Sequence, residues 1–296
     1  MVNIVIVATA NYLWGAAVTV RSALETCSET LNVYVISVDL STEDKQQLIR
    51  SWQTSNLGQL KFIDFDLDQL TGFRTTMLVK SKSTYARFYI PEYLEGVSRC
   101  IYLDTDLIIC SDLTALQNLD LHGKSTACVI DGGISTPDQQ QRLRTKLKLA
   151  NPQRYFNSGV IVIDLDAWRL RGIQSKALRI AKEQHDLLDQ MDQDALNMAL
   201  ADDWLTLDPK WNTSKGKASA GFSDGIIHFL GKVKPWHADY DANFKEKWFA
   251  ILDRTAFAGQ RPAKLMGIAA AYQKFTRSIP TVDMVRGKLR RLIRST

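Results

Sequence analysis

Asp104 and Asp106 flank Thr105 directly after the apolar run Cys100-Ile101-Tyr102-Leu103. In an extended segment residues i and i+2 share one side of the backbone, so these carboxylates form a hard oxygen site suited to Mg²⁺ or Mn²⁺. Asp-x-Asp is common on protein surfaces, but this pair follows what reads as a core strand. His228 lies in Ile226-Ile227-His228-Phe229-Leu230. It is either a hydrogen-bonded core histidine or a third ligand beside the aspartates. Lys234 follows on a stretch holding Gly231 and Pro235, a loop able to close on phosphates. A metal and a lysine together hold a diphosphate and stabilise its charge as it leaves.

Two further clusters carry polar groups beside apolar runs. Phe156-Asn157-Ser158-Gly159 precedes residues 160–165, which read as a buried strand. It is a simple turn, or a turn that aims side-chain and backbone groups at a ligand. Asp192-Gln193-Asp194 opens a helical pattern. There an aspartate is an ordinary N-cap, or part of a sugar-binding or catalytic pair. The chain has no Walker P-loop, GxGxxG, GxSxG or zinc-type Cys/His spacing, which sets aside P-loop hydrolases, dinucleotide oxidoreductases and α/β-hydrolases.

The elements that must position these groups alternate. Residues 3–7, 31–38 and 61–65 read as strands, with helical spacing over 13–24 and a capped helix opening at 41–44. This pattern predicts an α/β fold with a mostly parallel, Rossmann-like sheet. Further strands are expected at 99–103, 127–130, 159–165 and 225–230. Helices are expected at 84–94, 138–148 and 192–201, with one long helix over 166–185. Ligands of open α/β sheets gather at the carboxyl ends of the strands, which makes polar groups beside the strands the candidates.

The four cysteines, Cys27, Cys100, Cys110 and Cys128, form no CxxC pair and read as free thiols. Met1 leads straight into an apolar strand with no basic n-region, and no run is long enough to span a bilayer. The expectation is a cytoplasmic protein, peripheral on the inner face of the cell membrane. Charge is segregated. After residue 260 nine Lys/Arg stand against one acid, Asp283. That excess of eight exceeds the chain's net +5 and leaves the preceding body three charges negative. In residues 284–293 helical spacing puts Val285, Leu289 and Leu292 on one face among basic neighbours. This reads as a segment lying on an anionic membrane surface. Nucleic acid is not an expected partner, since the basic patch is confined to a terminus without a recognition motif. The division expected is a catalytic domain over 1–240 and a basic, helical, membrane-associating region over 241–296.

Together the motifs resemble a known family. Thr84-Tyr85-Ala86-Arg87, Tyr102-Leu103-Asp104-Thr105-Asp106, Phe156-Asn157-Ser158-Gly159, Asp192-Gln193-Asp194 and His228-Phe229-x-Gly231-x-x-Lys234-Pro235-Trp236 are jointly specific in order and spacing. They are similar to the retaining glycosyltransferases that include glycogenin and bacterial lipopolysaccharide galactosyl- and glucosyltransferases, with particular likeness to lipooligosaccharide α-galactosyltransferases. The resemblance implies a GT-A type nucleotide-sugar fold and transfer of a hexose from a UDP-sugar to a glycan or glycolipid acceptor, with an α-linkage formed. It implies Mn²⁺ (or Mg²⁺) held by Asp104, Asp106 and His228. Gly231 and Lys234 would close over the diphosphate. Ala8, Thr9 and Asn11 would face the nucleoside. Arg87, Asp104, Thr105, Asp131, Asn157, Ser158, Asp192 and Gln193 would surround the donor. The relatives carry acidic residues in the turn after the first strand, where this chain has Thr9-Ala10-Asn11, leaving the Thr9 hydroxyl to meet the uracil.

The implied catalytic pair is Gln193 and Asp192. A retaining double displacement needs a carboxylate nucleophile at the anomeric carbon, and Gln193 offers an amide. The reading favoured is front-face substitution, with the pair orienting and stabilising; attack by Asp192 after rearrangement stays open. The alternatives are a catalytically weak sugar-nucleotide-binding protein and a UDP-sugar hydrolase.

Overall fold

The computed structural model describes residues 1–76, 81–134, 136–214, 216, 218 and 221–262. Ten strands fall among them: β1 (Val2–Thr9), β2 (Leu31–Val38), β3 (Leu57–Asp64), β4 (Arg99–Leu103), β5 (Leu107–Ile109), β6 (Thr126–Ile130), β7 (Phe156–Asp164), β8 (Trp204–Thr206), β9 (Thr213–Ser214) and β10 (Ile226–His228). Seven form one sheet in the order β3-β2-β1-β4-β7-β6-β8. Only β7 runs against the rest. Its first residues therefore lie at the edge where β1, β4 and β6 end, bringing Thr9, Asp104, Asp131 and Asn157 to one rim.

Period-2 alternation builds two cores on opposite faces of this sheet. Ile4, Ile6, Ile101, Leu103, Val160 and Val162 pack into one. Val5, Cys100, Tyr102, Ile161 and Ile163 pack into the other. Such nearly unbroken apolar strands are what a sheet covered on both faces demands.

On the first face lies helix α1 (Leu13–Thr26). Its small residues let it approach closely: a Cβ on Gly15 would sit 2.1 Å from the Thr105 carbonyl oxygen. Thr19 Oγ1 lies 3.1 Å from both the carbonyl and the amide of Leu107, and Ile109 N donates to Ser22 Oγ at 3.0 Å. These bonds fix β5, which pairs with β10, itself paired with β9, in a second, three-stranded sheet. Helix α2 (Thr42–Ser51) begins with a capping box between Ser41 and Asp44.

Short helices α3 (Ile90–Tyr93), α4 (Thr114–Gln117) and α5 (Pro137–Thr145) follow. The helix expected over 166–185 is two, α6 (Leu165–Arg171) and α7 (Ile173–Glu183). Gly172 separates them at φ +62°, a left-handed position natural to glycine that ends the first helix. The helix expected over 84–94 is mostly a 3₁₀ turn over Lys82–Tyr89, with Pro91 in the first turn of α3. Helix α8 (Asp192–Leu200) lies on the second face.

Helix α9 (Lys245–Leu252) packs with Trp248, Phe249 and Phe257 into the core that holds α1. The boundary expected at residue 240 falls just before it, and the membrane segment expected at 284–293 lies outside the described residues. The four cysteines are free thiols. Among the described residues no helix is long and apolar enough to cross a membrane.

Candidate active site

The register of β10 against β5 pairs His228 with Leu107, the residue after Asp106, and Phe229 N donates to the Asp106 carbonyl at 3.0 Å. His228 Nε2 thus lies 3.2 Å from Asp106 Oδ1 and 3.8 Å from Asp104 Oδ2. One ligand atom from each of the three residues falls within 4.8 Å of the others.

Each carboxylate divides its two oxygens. Asp104 Oδ1 accepts from Arg87 Nη2 at 3.0 Å and from the Tyr102 hydroxyl at 2.7 Å, while Oδ2 turns toward His228. Asp106 Oδ2 accepts from Lys234 Nζ, while Oδ1 faces His228. Two carboxylate oxygens and one imidazole nitrogen suit Mn²⁺ or Mg²⁺. The space between them is protected by a glycine: a Cβ on Gly159 would lie 2.3 Å from His228 Cε1 and 2.9 Å from Asp104 Oδ2. The residues present therefore fit a divalent cation.

Electrostatics tie Lys234 to this cluster. Burial raises the Asp106 carboxyl, but the Lys234 ammonium and His228 outweigh it and hold that carboxyl well below the usual carboxylate range. Burial lowers Lys234, but Asp106 outweighs it and raises the ammonium above its ordinary value. Lys234 also donates to the Phe229 carbonyl at 2.8 Å. Gly231 stands at φ +97° in the intervening turn, a conformation that favours glycine.

Arg87 joins this cluster to the second one. Its Nη1 donates to the Ser158 carbonyl at 2.9 Å and to Ser158 Oγ at 3.2 Å, and lies 3.2 Å from Asp192 Oδ2. Its guanidinium also lies over the Tyr102 ring, 4.4 Å from the centroid. A planar fork of donors allows one buried cation to hold Asp104 and Asp192 together. Burial pushes Asp192 above the usual carboxylate range despite Arg87.

Gln193 is held at both ends. Its Oε1 accepts from Ser158 N at 3.1 Å, and its Nε2 donates to Asp131 Oδ2 at 2.8 Å and to the Tyr155 hydroxyl at 3.1 Å. Just before α8, buried Met191 stands at φ +44°, a strained value for a non-glycine residue that surrounding packing must offset. Asp194, adjacent in sequence to the pair, is fully buried and accepts from Tyr155 and from the amides of Asp189 and Gln190. It braces the turn into α8.

The structure brings Arg87, Asp104, Asp106, Asp131, Asn157, Ser158, Asp192, Gln193, His228 and Lys234 into one connected region. Ala8 and Thr105 are buried beside it, while Thr9 ends β1 and Asn11 lies in the 3₁₀ turn that follows. Sequence reasoning missed Tyr12, Tyr155 and Asn212. Tyr12 feels the charges of Lys234, Asp106 and Asp104 and meets the Trp236 ring edge-on at 5.2 Å. Its position beside Asn11 was the available signal. Tyr102, on β4 two residues before Asp104, lies at the spacing that places both on one face of the strand.

The family model described as glycosyl transferase family 8 matches residues 3–240. The chain belongs to glycosyl transferase family 8. Among family relatives it is similar to general stress protein A of Bacillus subtilis, at 28% identity over 83% of this chain and 90% of that protein. It is similar to the lipopolysaccharide 1,2-glucosyltransferase of Escherichia coli, at 29% identity over 77% of this chain and 70% of that one. It spans 64% of the length of the glycosyltransferase GlyF of Streptococcus pneumoniae, at 26% identity. The fold matches the galactosyltransferase LgtC, solved with donor and acceptor sugar analogs. The TM-score is 0.76 at 22% identity, covering 86% of this chain and 96% of LgtC. The architecture is therefore the GT-A type.

Proposed function

We propose that this family 8 glycosyltransferase is a retaining hexosyltransferase. It moves galactose or glucose from a UDP-sugar to a glycan or glycolipid acceptor such as lipopolysaccharide, and forms an α-linkage. The observation that carries the reading is the junction at Arg87, where the oxygen-rich cation site and Asp192, the carboxylate next to Gln193, share one buried guanidinium. Relatives named as lipopolysaccharide 1,2-glucosyltransferase and 1,3-galactosyltransferase support the transferred hexose and the acceptor class.

Asp104, Asp106 and His228 would hold Mn²⁺ (or Mg²⁺), which neutralises charge on the leaving diphosphate. Lys234 would exchange its contact with Asp106 for a phosphate oxygen. Asp131, Asn157, Ser158 and Arg87 would position the donor hexose, and Ala8, Thr9 and Asn11 the nucleoside. Gln193 is held by Ser158, Asp131 and Tyr155, and an amide held in this way orients and stabilises. Front-face substitution follows. The anomeric carbon–oxygen bond to the diphosphate breaks, the acceptor oxygen bonds on the same face, and the acceptor proton passes to the departing diphosphate. Asp192, bonded by Ser158 Oγ at 3.3 Å and paired with Arg87, stabilises positive charge on the ring. The basic segment after residue 260 would dock the enzyme on an anionic membrane surface at the cytoplasmic inner face, an assignment resting on its charge pattern.

The test is a release assay with purified protein, Mn²⁺ and UDP-, GDP- and dTDP-hexoses, with EDTA and Asp106→Ala as controls. Metal-dependent UDP release from one hexose donor, stimulated by a glycan acceptor and lost in both controls, is expected. Turnover indifferent to every acceptor would favour a hydrolase, and no release from any donor a binding protein.

A further inference from the structure

Asn212 lies outside every motif, yet it sits between a proposed donor-site residue and a proposed metal ligand. It ends the 3₁₀ turn Pro209–Asn212. The next residues are clamped, since Thr213 pairs with Ile227 and Ser214 with His228. The Lys210 carbonyl also approaches Gly225 so closely that a Cβ there would lie 2.1 Å from it.

A chain of hydrogen bonds runs through Asn212 from a backbone amide to the imidazole. Gly159 N donates to Asn157 Oδ1 at 3.0 Å. A peptide N–H only donates, so the Asn157 atom at that place is its oxygen. The same oxygen accepts from Asn212 Nδ2 at 2.8 Å. Asn212 Oδ1 is thereby turned to His228 Nδ1, also at 2.8 Å. An amide oxygen only accepts, so Nδ1 must carry a proton. Flipping the Asn212 amide would set two oxygens against each other on the Asn157 side and two nitrogens on the His228 side. The atom of His228 facing Asp106 Oδ1 and Asp104 Oδ2 is the other nitrogen, Nε2.

We propose that Asn212 is a positioning residue that keeps the His228 proton on Nδ1, leaving Nε2 available to a divalent cation between Asp104 and Asp106. Without it, attraction to the two carboxylates favours a proton on Nε2, which an incoming cation must displace. A histidine ligand is tuned in this way by the partner of its other nitrogen. The proposal rests on the metal-site reading above.

The test is Mn²⁺ binding, followed by electron paramagnetic resonance of free Mn²⁺, in the full chain and two variants. Asn212→Leu removes the acceptor and is expected to weaken Mn²⁺ binding by about 10- to 100-fold. Asn212→Asp keeps the acceptor for Nδ1–H while giving up the link to Asn157, and should bind within about threefold of the unaltered chain. Equal affinity in the Leu variant, or a loss in the Asp variant as large as in the Leu variant, would overturn the proposal. Nitrogen-15 NMR of His228 in the unaltered, metal-free chain should show Nδ1 protonated at neutral pH; a bare Nδ1 with a protonated Nε2 would also overturn it. If the unaltered chain binds no Mn²⁺, the metal-site reading fails, while the NMR result still decides where the proton sits.

Discussion

The backbone of Gly159 passes so close to His228 that a Cβ added there would lie 2.3 Å from the imidazole Cε1. Asp104 Oδ2 would lie 2.9 Å from the same Cβ. The glycine of the Asn-Ser-Gly motif therefore has a steric reason: β7 starts where the segments carrying Asp104 and His228 converge. Gly159→Ala is expected to push His228 out of line. Overpacking of this kind costs about 1–3 kcal/mol of stability, and Mn²⁺ affinity should fall about tenfold or more. Urea unfolding and a Mn²⁺ titration check the two effects separately.

Arg87 is expected to resist conservative replacement. Arg87→Ala leaves Asp104 and Asp192 without their shared cation, and breaking a buried ion pair costs about 3–5 kcal/mol. Arg87→Lys should recover only a minor part, because an ammonium cannot span both carboxylates and Ser158 as the planar fork does. Denaturant midpoints of the two variants decide this, and a Lys variant as stable as the unaltered chain would count against it.

Gln193→Ala is expected to lower kcat about 100-fold or more, with a smaller change in donor KM, if the amide serves the transition state. Steady-state kinetics with the donor found in the release assay provide the measurement. A rise in KM alone would assign Gln193 to ground-state binding.

The link between α1 and the segment after α9 should weaken in acid. Glu25 bonds Arg254 at 2.6 and 2.8 Å and Arg21 at 2.7 Å. Burial raises its carboxyl, but these two guanidinium groups outweigh it and hold it below the usual range. A depressed folded-state pKa contributes stability above the unfolded-state pKa, and that contribution is lost as pH falls through the folded value. Glu25→Gln should therefore destabilise by up to about 1 kcal/mol near neutral pH. The difference from the unaltered chain should shrink toward zero below about pH 4. Thermal unfolding across pH tests the sign.

Much of the site was legible in the sequence because its residues sit at strand ends, where apolar alternation stops. Cys100-Ile101-Tyr102-Leu103 announces a buried strand, and Asp104 and Asp106 follow at a spacing that presents two carboxylates together. The motif order carried the family, and the alternating strands and helices carried the α/β sheet. The break at Gly172 was less visible, because residues 166–185 keep helical spacing on both sides of it, and only the left-handed backbone there ends α6.

What only the tertiary structure decided concerns partners distant in the chain. That His228 meets Asp106 follows from the β5–β10 pairing, and that Lys234 binds Asp106 follows from the turn at Gly231. That Arg87 serves both Asp104 and Asp192 follows from the 3₁₀ segment lying on the sheet face that carries Tyr102. Asn212 had no signature at all. A lone asparagine after a tryptophan acquires meaning only when folding brings Asn157 to one end of its amide and His228 to the other. Sequence determined which chemical groups the chain could offer and the periodicity that buries its strands. Hydrogen-bond direction and proton position are set by contacts between distant segments, and local sequence does not encode them.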